Sequence, residues 1–147
     1  MLLKKYQQKR DFKKNNEPKG KQLKIKKTFF VVQEHRASHH HFDLRLAIDE
    51  VLKSWAIPKQ PPVKKGEKRL AVQVEDHPLQ YASFEGKIPE GQYGAGIVKI
   101  WDKGKLEIYK REDKLIDFNL EGKKLKGNFV LLQPAKFDKK DWLFFKK

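Results

Sequence analysis

Short stretches in which apolar and polar residues alternate one by one recur along this chain from residue 28 onward. The clearest are HFDLRL at 41–46 and RLAVQVE at 69–75. A period of two puts successive side chains on opposite faces of a β-strand, whereas an amphipathic helix needs a period of 3.6. The pattern therefore predicts a mainly β fold in which one face of each strand packs into a core.

Other β-branched and aromatic stretches, bounded by glycine, proline or polar residues, predict further strands. They lie at 29–33, 51–57, 94–101, 106–109, 117–120, 128–132 and 142–145. A turn is predicted at 102–104 and a loop at 61–66, and helix is scarce. Many short strands at this spacing indicate an antiparallel barrel or a sandwich.

The composition changes near residue 28, so we expect a basic N-terminal arm at 1–27 and one complete β domain at 28–147. The chain has no cysteine, which excludes disulfides and thiolate metal sites. No stretch reaches the roughly 20 apolar residues of a membrane-spanning helix, and residues 1–5 lack the apolar core of a signal peptide. We expect a cytoplasmic monomer with no membrane partner.

The net charge is +15, from 34 Lys and Arg against 19 Asp and Glu. Such a field attracts polyanions, of which nucleic acid is the commonest. Charge alone fits a solubilising surface equally well, so it does not decide between the two.

Four of the five histidines fall close together, at His35, His39, His40 and His41. In the strand that starts at 41, the alternation puts His41, Asp43 and Arg45 on one face, opposite the apolar set. Two imidazoles and a carboxylate leave coordination positions open, as a Lewis-acid metal requires, if the chain turns at 36–38 to bring in His35. The alternative is a polar strand face that binds metal adventitiously. His39 and His40 are weaker candidates, because His40 has the parity of the apolar set and His39 precedes the regular alternation.

A second polar cluster comprises Arg69, Glu75, Asp76, His77 and Tyr81. Arg69 and Glu75 are predicted on one face of their strand. Cations and a histidine near a metal suit phosphoryl transfer, because they offset charge on phosphate oxygens and can donate a hydrogen bond. Lys59 is a further candidate cation. The alternative is a surface row of salt bridges. The glycine-rich stretch at 88–96 matches neither a Walker loop nor a dinucleotide fingerprint and indicates tight turns.

Taken in order, these segments resemble the 3′-phosphoesterase domain of LigD-type DNA repair ligases and its free-standing bacterial and archaeal relatives. The similarity runs from about residue 6 to residue 145. It rests on RDF at 10–12, EP at 17–18, FVVQEH at 30–35, HFDLRL at 41–46, LKSWAIPK at 52–59, KRLA at 68–71, EDHPLQY at 75–81 and FEG at 84–86 with the stretch that ends at Gly96.

The resemblance implies a small antiparallel β-barrel with little flanking helix and a manganese-dependent enzyme, with Zn²⁺, Co²⁺ or another divalent metal as alternatives. It implies phosphodiesterase removal of a 3′-terminal ribonucleoside, followed by phosphomonoesterase removal of the 3′-phosphate to leave a 3′-OH. The implied substrate is a DNA primer–template that ends in a 3′-ribonucleotide or 3′-phosphate. The implied setting is non-homologous end joining, alone or beside a separate ligase and polymerase.

Carried over by matching motif, the implied metal ligands are His35, His41 and Asp43. The implied phosphate-binding or catalytic residues are Arg45, Lys59, Arg69 and His77, joined by Glu75, Tyr81 and, from the arm, Arg10, Asp11 and Glu17. The chain departs from the family pattern at Gln60, where glycine is usual, and at His39 and His40, whose imidazoles can loosen metal selectivity.

Two other functions remain open on the residues alone. One is a non-catalytic basic β-barrel that binds single strands by stacking bases on Trp55, Trp101 and Tyr93. The other is a structural RNA-associated protein, supported only by the lysine content. Neither needs a His-x-Asp-x-Arg face, which favours the enzyme.

Overall fold

A computed structural model describes residues 3–10, 17 and 28–147. Within these residues the elements are α1 (Lys4–Gln8), β1 (Phe29–Arg36), β2 (His40–Ile48), β3 (Val51–Ile57), β4 (Lys68–His77), a 3-10 helix (Leu79–Ser83), β5 (Gly86–Ile88), β6 (Gly96–Glu112), β7 (Leu115–Glu121), β8 (Lys126–Leu132) and β9 (Asp141–Lys146).

Eight of the nine strands form a closed antiparallel barrel. They follow the order β1-β2-β3-β4-β9-β8-β7-β6, and the pairing of β1 with β6 closes the ring. Strand β5 adds to the outside of the ring by pairing with β6. The prediction of a mainly β fold with little helix is confirmed, and closure decides between a barrel and a sandwich.

Strands β1, β2 and β3 are buried on both faces, because apolar residues cover the barrel wall from the inside and from the outside. The interior core includes Phe30, Trp55 and Phe118. A second apolar cluster lies outside the wall, where Tyr6 of α1 and Tyr81 of the 3-10 helix pack with residues of β3, β5 and β6. Polar side chains on the outward face of β1 and β2 are therefore shielded from water.

Residues 102–104 continue strand β6 instead of forming the predicted turn. Strand β1 pairs Val32 with Asp102 but Gln33 with Ile100, so β6 carries an extra residue and bulges at this point. The Asp102 side chain is buried and accepts four backbone N–H groups, from Lys103, Lys123, Lys124 and Leu125. The aspartate that looked like a turn residue thus fixes the neighbouring β7–β8 turn.

Three elements were not predicted, namely α1, the 3-10 helix and β5, and one residue considered for base stacking is buried. Helix α1 and strand β5 are short, with five and three residues, so neither shows a recognisable period. The Trp55 side chain is 1% exposed and packs in the interior, so Trp55 is unavailable for base stacking and the binding-module alternative loses one of its aromatics. No helix in the described part of the chain is both long and apolar enough to cross a membrane.

Replacing Asp102 with asparagine tests how far the barrel depends on this carboxylate. The amide keeps the shape, but its NH₂ group faces backbone N–H donors that then lack an acceptor. We expect the free energy of unfolding to fall by about 2–3 kcal/mol, as measured by urea denaturation. Asp113→Asn in the exposed β6–β7 turn is the control and should change it by less than about 0.5 kcal/mol. Equal stability of the two variants would contradict the structural role of Asp102.

Candidate metal centre and active site

A cavity of about 480 Å³ opens on the outward face of strands β1 to β4, beside α1 and the 89–95 loop. Eight of the predicted metal-binding, phosphate-binding and catalytic residues line it: Arg10, His35, His41, Asp43, Arg45, Glu75, His77 and Tyr81. His39, a weaker candidate, and Tyr93 line it as well. The alternation of β2 predicted that His41, Asp43 and Arg45 share this face, and the structure places them there.

His35, His41 and Asp43 meet at the β1–β2 hairpin. His35 and His41 are directly paired across the two strands, and Asp43 lies two residues further along β2. The Asp43 Oδ2 atom is 3.2 Å from His41 Nε2 and 3.7 Å from His35 Nδ1. One potential ligand atom from each residue lies within 4.8 Å of the others, close enough to contact one cation.

The outer nitrogen of each imidazole is already held by a backbone carbonyl. His35 Nε2 lies 2.6 Å from the Gly94 oxygen, and His41 Nδ1 lies 2.9 Å from the His39 oxygen. A carbonyl only accepts, so each of these nitrogens donates. The other ring nitrogen donates to Asp43 when it is protonated, and in the neutral ring its lone pair is available to a cation. Carbonyl-anchored histidines of this kind are the usual support of a metal site, so the three residues fit a divalent cation.

Asp43 remains ionised although it is buried. Burial alone would raise its pKa, but the positive charge of Arg45, together with hydrogen bonds from His35 and His41, holds the pKa well below its usual range. Burial lowers the pKa of His41, yet the hydrogen bond and attraction to Asp43 outweigh burial and raise this pKa above its ordinary value. The centre thus presents a permanent negative charge to a cation.

Arg45 is buried and braced on three sides. Its Nε donates to the Gln33 side chain, and its Nη1 donates to Ser54 Oγ over 2.9 Å. Its Nη2 lies 3.6 Å from Asp43 Oδ2, and its guanidinium stands 4.9 Å from the centre of the Tyr81 ring. Because Arg45 is held rigidly, it orients Asp43 as well as adding positive charge to the cavity. Gln33 and Ser54 were not identified from the sequence, although Gln33 lies two residues before His35 on the same face.

A bulge in β4 turns Glu75 and His77 toward the cavity. Ser54 pairs with Val74 but Leu52 pairs with His77, so two residues of β4 oppose one residue of β3. Before the bulge, Ala71 packs in the barrel interior and Gln73 accepts a hydrogen bond from the interior Trp142. The extra residue reverses the faces, as bulges beside functional sites do.

The prediction that Arg69 and Glu75 lie on the same face of β4 is therefore wrong. Arg69 belongs to the part of β4 before the bulge, and its Nε donates to the Gln60 carbonyl over 2.7 Å. Lys59 is exposed beyond the end of β3, and neither cation lines the cavity. Both lie toward the barrel end where β3 finishes and β4 begins.

His77 is buried and neutral. Its Nδ1 donates to the Glu75 carbonyl over 3.0 Å, and its Nε2 accepts from Arg10 Nη2 over 3.3 Å. Burial, followed by the positive charges of Arg45 and Arg10, lowers the pKa of His77 well below its ordinary value. A neutral imidazole whose Nε2 faces a guanidinium is an acceptor in this arrangement.

The N-terminal segment contributes a buried ion pair to the wall of the site. Arg10 Nε and Glu17 Oε2 are 3.0 Å apart, with side chains 4% and 0% exposed. The Tyr81 hydroxyl donates to the same Glu17 oxygen over 2.7 Å. Glu17 thus lies behind the cavity and holds two residues that line it. Asp11 lies outside the described residues.

Tyr93 and Lys9 form the rim of the cavity and were not assigned to the catalytic site from the sequence. Lys9 Nζ is 3.0 Å from Glu75 Oε2 and 3.3 Å from the Tyr93 hydroxyl. Tyr93 sits in the glycine-rich loop, which here supplies the Gly94 carbonyl to His35 as well as turning the chain. Among the residues that the structure describes, neither His39 nor His40 joins the triad, and His40 Nε2 contacts Glu34 Oε2 at 2.7 Å instead.

Metal affinity should depend on pH with a defined sign. A metal binds the neutral imidazole of His41. Because the pKa of His41 is raised, this imidazole carries a proton in mildly acidic solution. We expect Zn²⁺ affinity, measured by calorimetry on metal-stripped protein, to weaken by about tenfold per unit as pH falls below that pKa. His41→Ala should abolish binding. His39→Gln is the control, since His39 lines the cavity but lies outside the triad, and its backbone carbonyl contact with His41 is kept. Affinity that stays constant across pH 5 to 8 would argue against the triad as the ligand set.

Comparison with known families identifies relatives of the chain. The family model for the DNA Ligase D 3′-phosphoesterase domain matches residues 33–133, more than half of the chain. The multifunctional non-homologous end joining protein LigD of Pseudomonas aeruginosa is 47% identical over 139 residues, covering 89% of this chain and 16% of that protein.

Two further relatives show the same relationship. The LigD DNA repair protein of Mycobacterium tuberculosis is 42% identical over 137 residues, covering 89% of this chain and 18% of that protein. LigD of Mycolicibacterium smegmatis is 42% identical over 153 residues, covering 94% and 19%. The chain therefore spans less than a fifth of the length of these relatives. Similarity this extensive shows that the chain belongs to the family of DNA Ligase D 3′-phosphoesterase domains.

Proposed function

We propose that this chain is a metal-dependent hydrolase that heals the 3′ ends of nucleic acid strands. Membership in a 3′-phosphoesterase family supports a role in 3′-end processing. The observation that carries the proposal is the His35, His41 and Asp43 triad, which opens on a cavity that also presents Arg10 and Arg45. A carboxylate and two imidazoles can hold a cation, and the arginines can hold the phosphate next to it.

Mn²⁺ is the proposed working metal, although an N₂O ligand set also suits Zn²⁺, Co²⁺ and Fe²⁺, and Zn²⁺ binds such sites more tightly than Mn²⁺. When bound, the metal would polarise a phosphate oxygen and make the phosphorus more electrophilic. The triad's own contribution is to stay rigid and anionic. Arg45 keeps Asp43 ionised, and the Gly94 and His39 carbonyls keep both histidines in the ligating tautomer.

The cations have separate proposed roles. Arg10 lines the cavity and is oriented by Glu17 and His77, so it can bind a phosphate oxygen with the guanidinium edge. Lys59 and Arg69 are proposed to contact phosphates of the strand outside the cavity. Glu75 places Lys9 and Tyr93 at the rim. Tyr81 braces Glu17, and Arg45 packs over its ring.

His77 is proposed to act on the phosphate through Arg10, which it orients, rather than to protonate the leaving oxygen. A general acid needs a proton on the ring nitrogen that faces the substrate, and the lowered pKa of His77 opposes that protonation near neutral pH. The same cavity would then serve both hydrolytic steps, because in each step water attacks a phosphorus atom bonded to the 3′ oxygen of the strand. The first step expels a ribonucleoside, and the second expels the 3′-hydroxyl of the strand.

We propose that the substrate is a DNA primer–template ending in a 3′-ribonucleotide or a 3′-phosphate. Action within non-homologous end joining, beside a ligase and a polymerase and as a cytoplasmic monomer, is part of the same proposal. It rests on similarity to LigD proteins, which are named for that pathway. The assignment of residues up to 27 as an arm that completes the site is supported by the Arg10–Glu17 pair.

The direct test is to incubate metal-stripped protein with a primer–template ending in one 3′-ribonucleotide, with and without Mn²⁺, and to resolve the products on a denaturing gel. We expect Mn²⁺-dependent appearance of a 3′-phosphate and then a 3′-OH. His41→Ala and Asp43→Asn should each lower the rate by at least a hundredfold, since loss of the metal removes several kcal/mol of stabilisation of the transition state. His39→Gln should retain the rate. A primer that is bound but never cleaved with any divalent metal would instead support the binding module.

A pH–rate profile separates the two roles of His77. We expect kcat for His77→Gln to be at least tenfold lower than wild type, with the profile between about pH 6 and 8 unchanged in shape, because a neutral orienting residue contributes no titration there. A limb in the wild-type profile near the ordinary pKa of histidine, lost in the variant, would identify His77 as the proton donor.

A further inference from the structure

The end of the barrel that carries the metal triad also carries an excess of lysine. Antiparallel strands place the β1–β2 hairpin, the β3–β4 connection (58–67), the β7–β8 turn (122–125) and the end of β9 at one end. We define the lysine rim as Lys64, Lys65, Lys123, Lys124 and Lys126 at this end. All five are exposed, and within the described part of the chain none forms an ion pair.

The connections at the opposite end of the barrel carry no such excess. The β2–β3 turn is Asp49–Glu50, the β6–β7 turn is Asp113–Lys114, and the β8–β9 connection (133–140) holds Lys136, Asp138, Lys139 and Lys140. Four lysines there are balanced by four carboxylates, whereas the 58–67 and 122–125 connections hold five lysines and one glutamate. The excess positive charge of the connections therefore lies on the side of the triad.

The rim is connected by a row of side-chain contacts to the β1–β2 hairpin, which carries the metal triad on its other face. Lys124 Nζ stands 4.5 Å from the centre of the Trp101 ring, and Trp101 and Phe42 meet edge to face at 5.7 Å. Phe42 in turn lies 5.3 Å from the ring of His40, the residue before His41. Trp101 is half-buried, while Trp55 and Trp142 are buried, so Trp101 is the tryptophan that reaches this surface.

The β7–β8 turn is held in place by the barrel. Four backbone N–H groups, three of them from residues 123–125, bind the buried Asp102 carboxylate. The β3–β4 connection is anchored as well, because Pro61 and Pro62 are buried and Val63 packs on the interior core. The rim ammonium groups therefore extend from fixed backbone, which lowers the entropy lost when they bind a ligand.

We propose that the lysine rim, with Trp101, binds the phosphate backbone of the substrate upstream of its reactive 3′ end. The inference rests on the proposed function for the location of that end, at the triad. The contacts that run from Lys124 through Trp101 and Phe42 to His40 measure 4.5, 5.7 and 5.3 Å, so the two ends of this row are at most about 16 Å apart. At a rise of about 3.4 Å per nucleotide along a duplex, about five nucleotides cover that distance. The proposed ligand is nucleic acid, because its backbone phosphates are regularly spaced anions and the rim lysines are cations without an ion-pair partner among the described residues, close to the metal triad.

The salt dependence of binding tests the proposal without requiring turnover. The rim variant is Lys123→Gln, Lys124→Gln and Lys126→Gln combined. The matched control is Lys136→Gln, Lys139→Gln and Lys140→Gln at the opposite end, which removes the same three charges from the net +15. Affinity for a fluorescein-labelled primer–template is measured in metal-free buffer at several salt concentrations. Each lost phosphate contact lowers the log–log salt slope by about 0.9, so the rim variant should lose about 2 to 3 and the control nothing.

Activity on substrates of two lengths distinguishes this inference from the proposed function. The rim variant should raise KM on the primer–template by at least tenfold and leave kcat/KM unchanged on a dinucleotide 3′-phosphate, which is too short to reach the turn. If wild type cleaves neither substrate, the proposed function fails. The salt slopes still show whether the lysine rim binds nucleic acid, because they do not require turnover. Equal slope losses in the rim and control variants would mean that nucleic acid responds to the net charge of the protein and not to the position of the lysines. No slope loss in either variant would mean that the rim does not bind nucleic acid. Either result overturns the proposal.

Discussion

The negative charge on Asp43 is the feature on which the rest of the site depends. A buried carboxylate is costly unless it is paired and hydrogen-bonded. Here Arg45 supplies the charge and two histidines supply hydrogen-bonding partners, while Gln33 and Ser54 hold Arg45 in turn. A cation at the triad would complete the same compensation. The need to compensate the buried charge of Asp43 thus links the stability of the barrel wall to the proposed binding of a metal.

The second apolar layer makes that charge possible. A barrel wall normally has one face toward the core and one face toward solvent, but α1, the 3-10 helix and β5 cover the outer face of β1 to β3. The covering lowers the local dielectric, so each charge–charge contact in the site is stronger than it would be on an open surface. It also explains why an ion pair from the N-terminal segment, Arg10 with Glu17, can lie almost wholly buried beside the cavity.

Alternation in the sequence predicted the parts of the site that lie on regular strand. His41, Asp43 and Arg45 came from period two alone, and His35 needed only the hairpin that brings it opposite His41. Resemblance to a family added Arg10 and Glu17, which no period indicates. Alternation failed where a strand carries an extra residue, as between Arg69 and Glu75, because a bulge depends on pairing with a partner strand. It failed again at Asp102, whose role comes from backbone donors about twenty positions away.

The bulge in β4 has a further consequence for how such a domain can change its length during evolution. Removing Glu75 would restore regular pairing with His77 still opposite Leu52, and the cavity would lose the carboxylate that holds Lys9 and Tyr93. The same deletion in the exposed part of the 58–67 connection would leave every pairing intact. A codon lost from that connection therefore leaves the active-site wall unchanged, whereas a codon lost from the middle of β4 keeps the pairing regular and removes a residue of the wall.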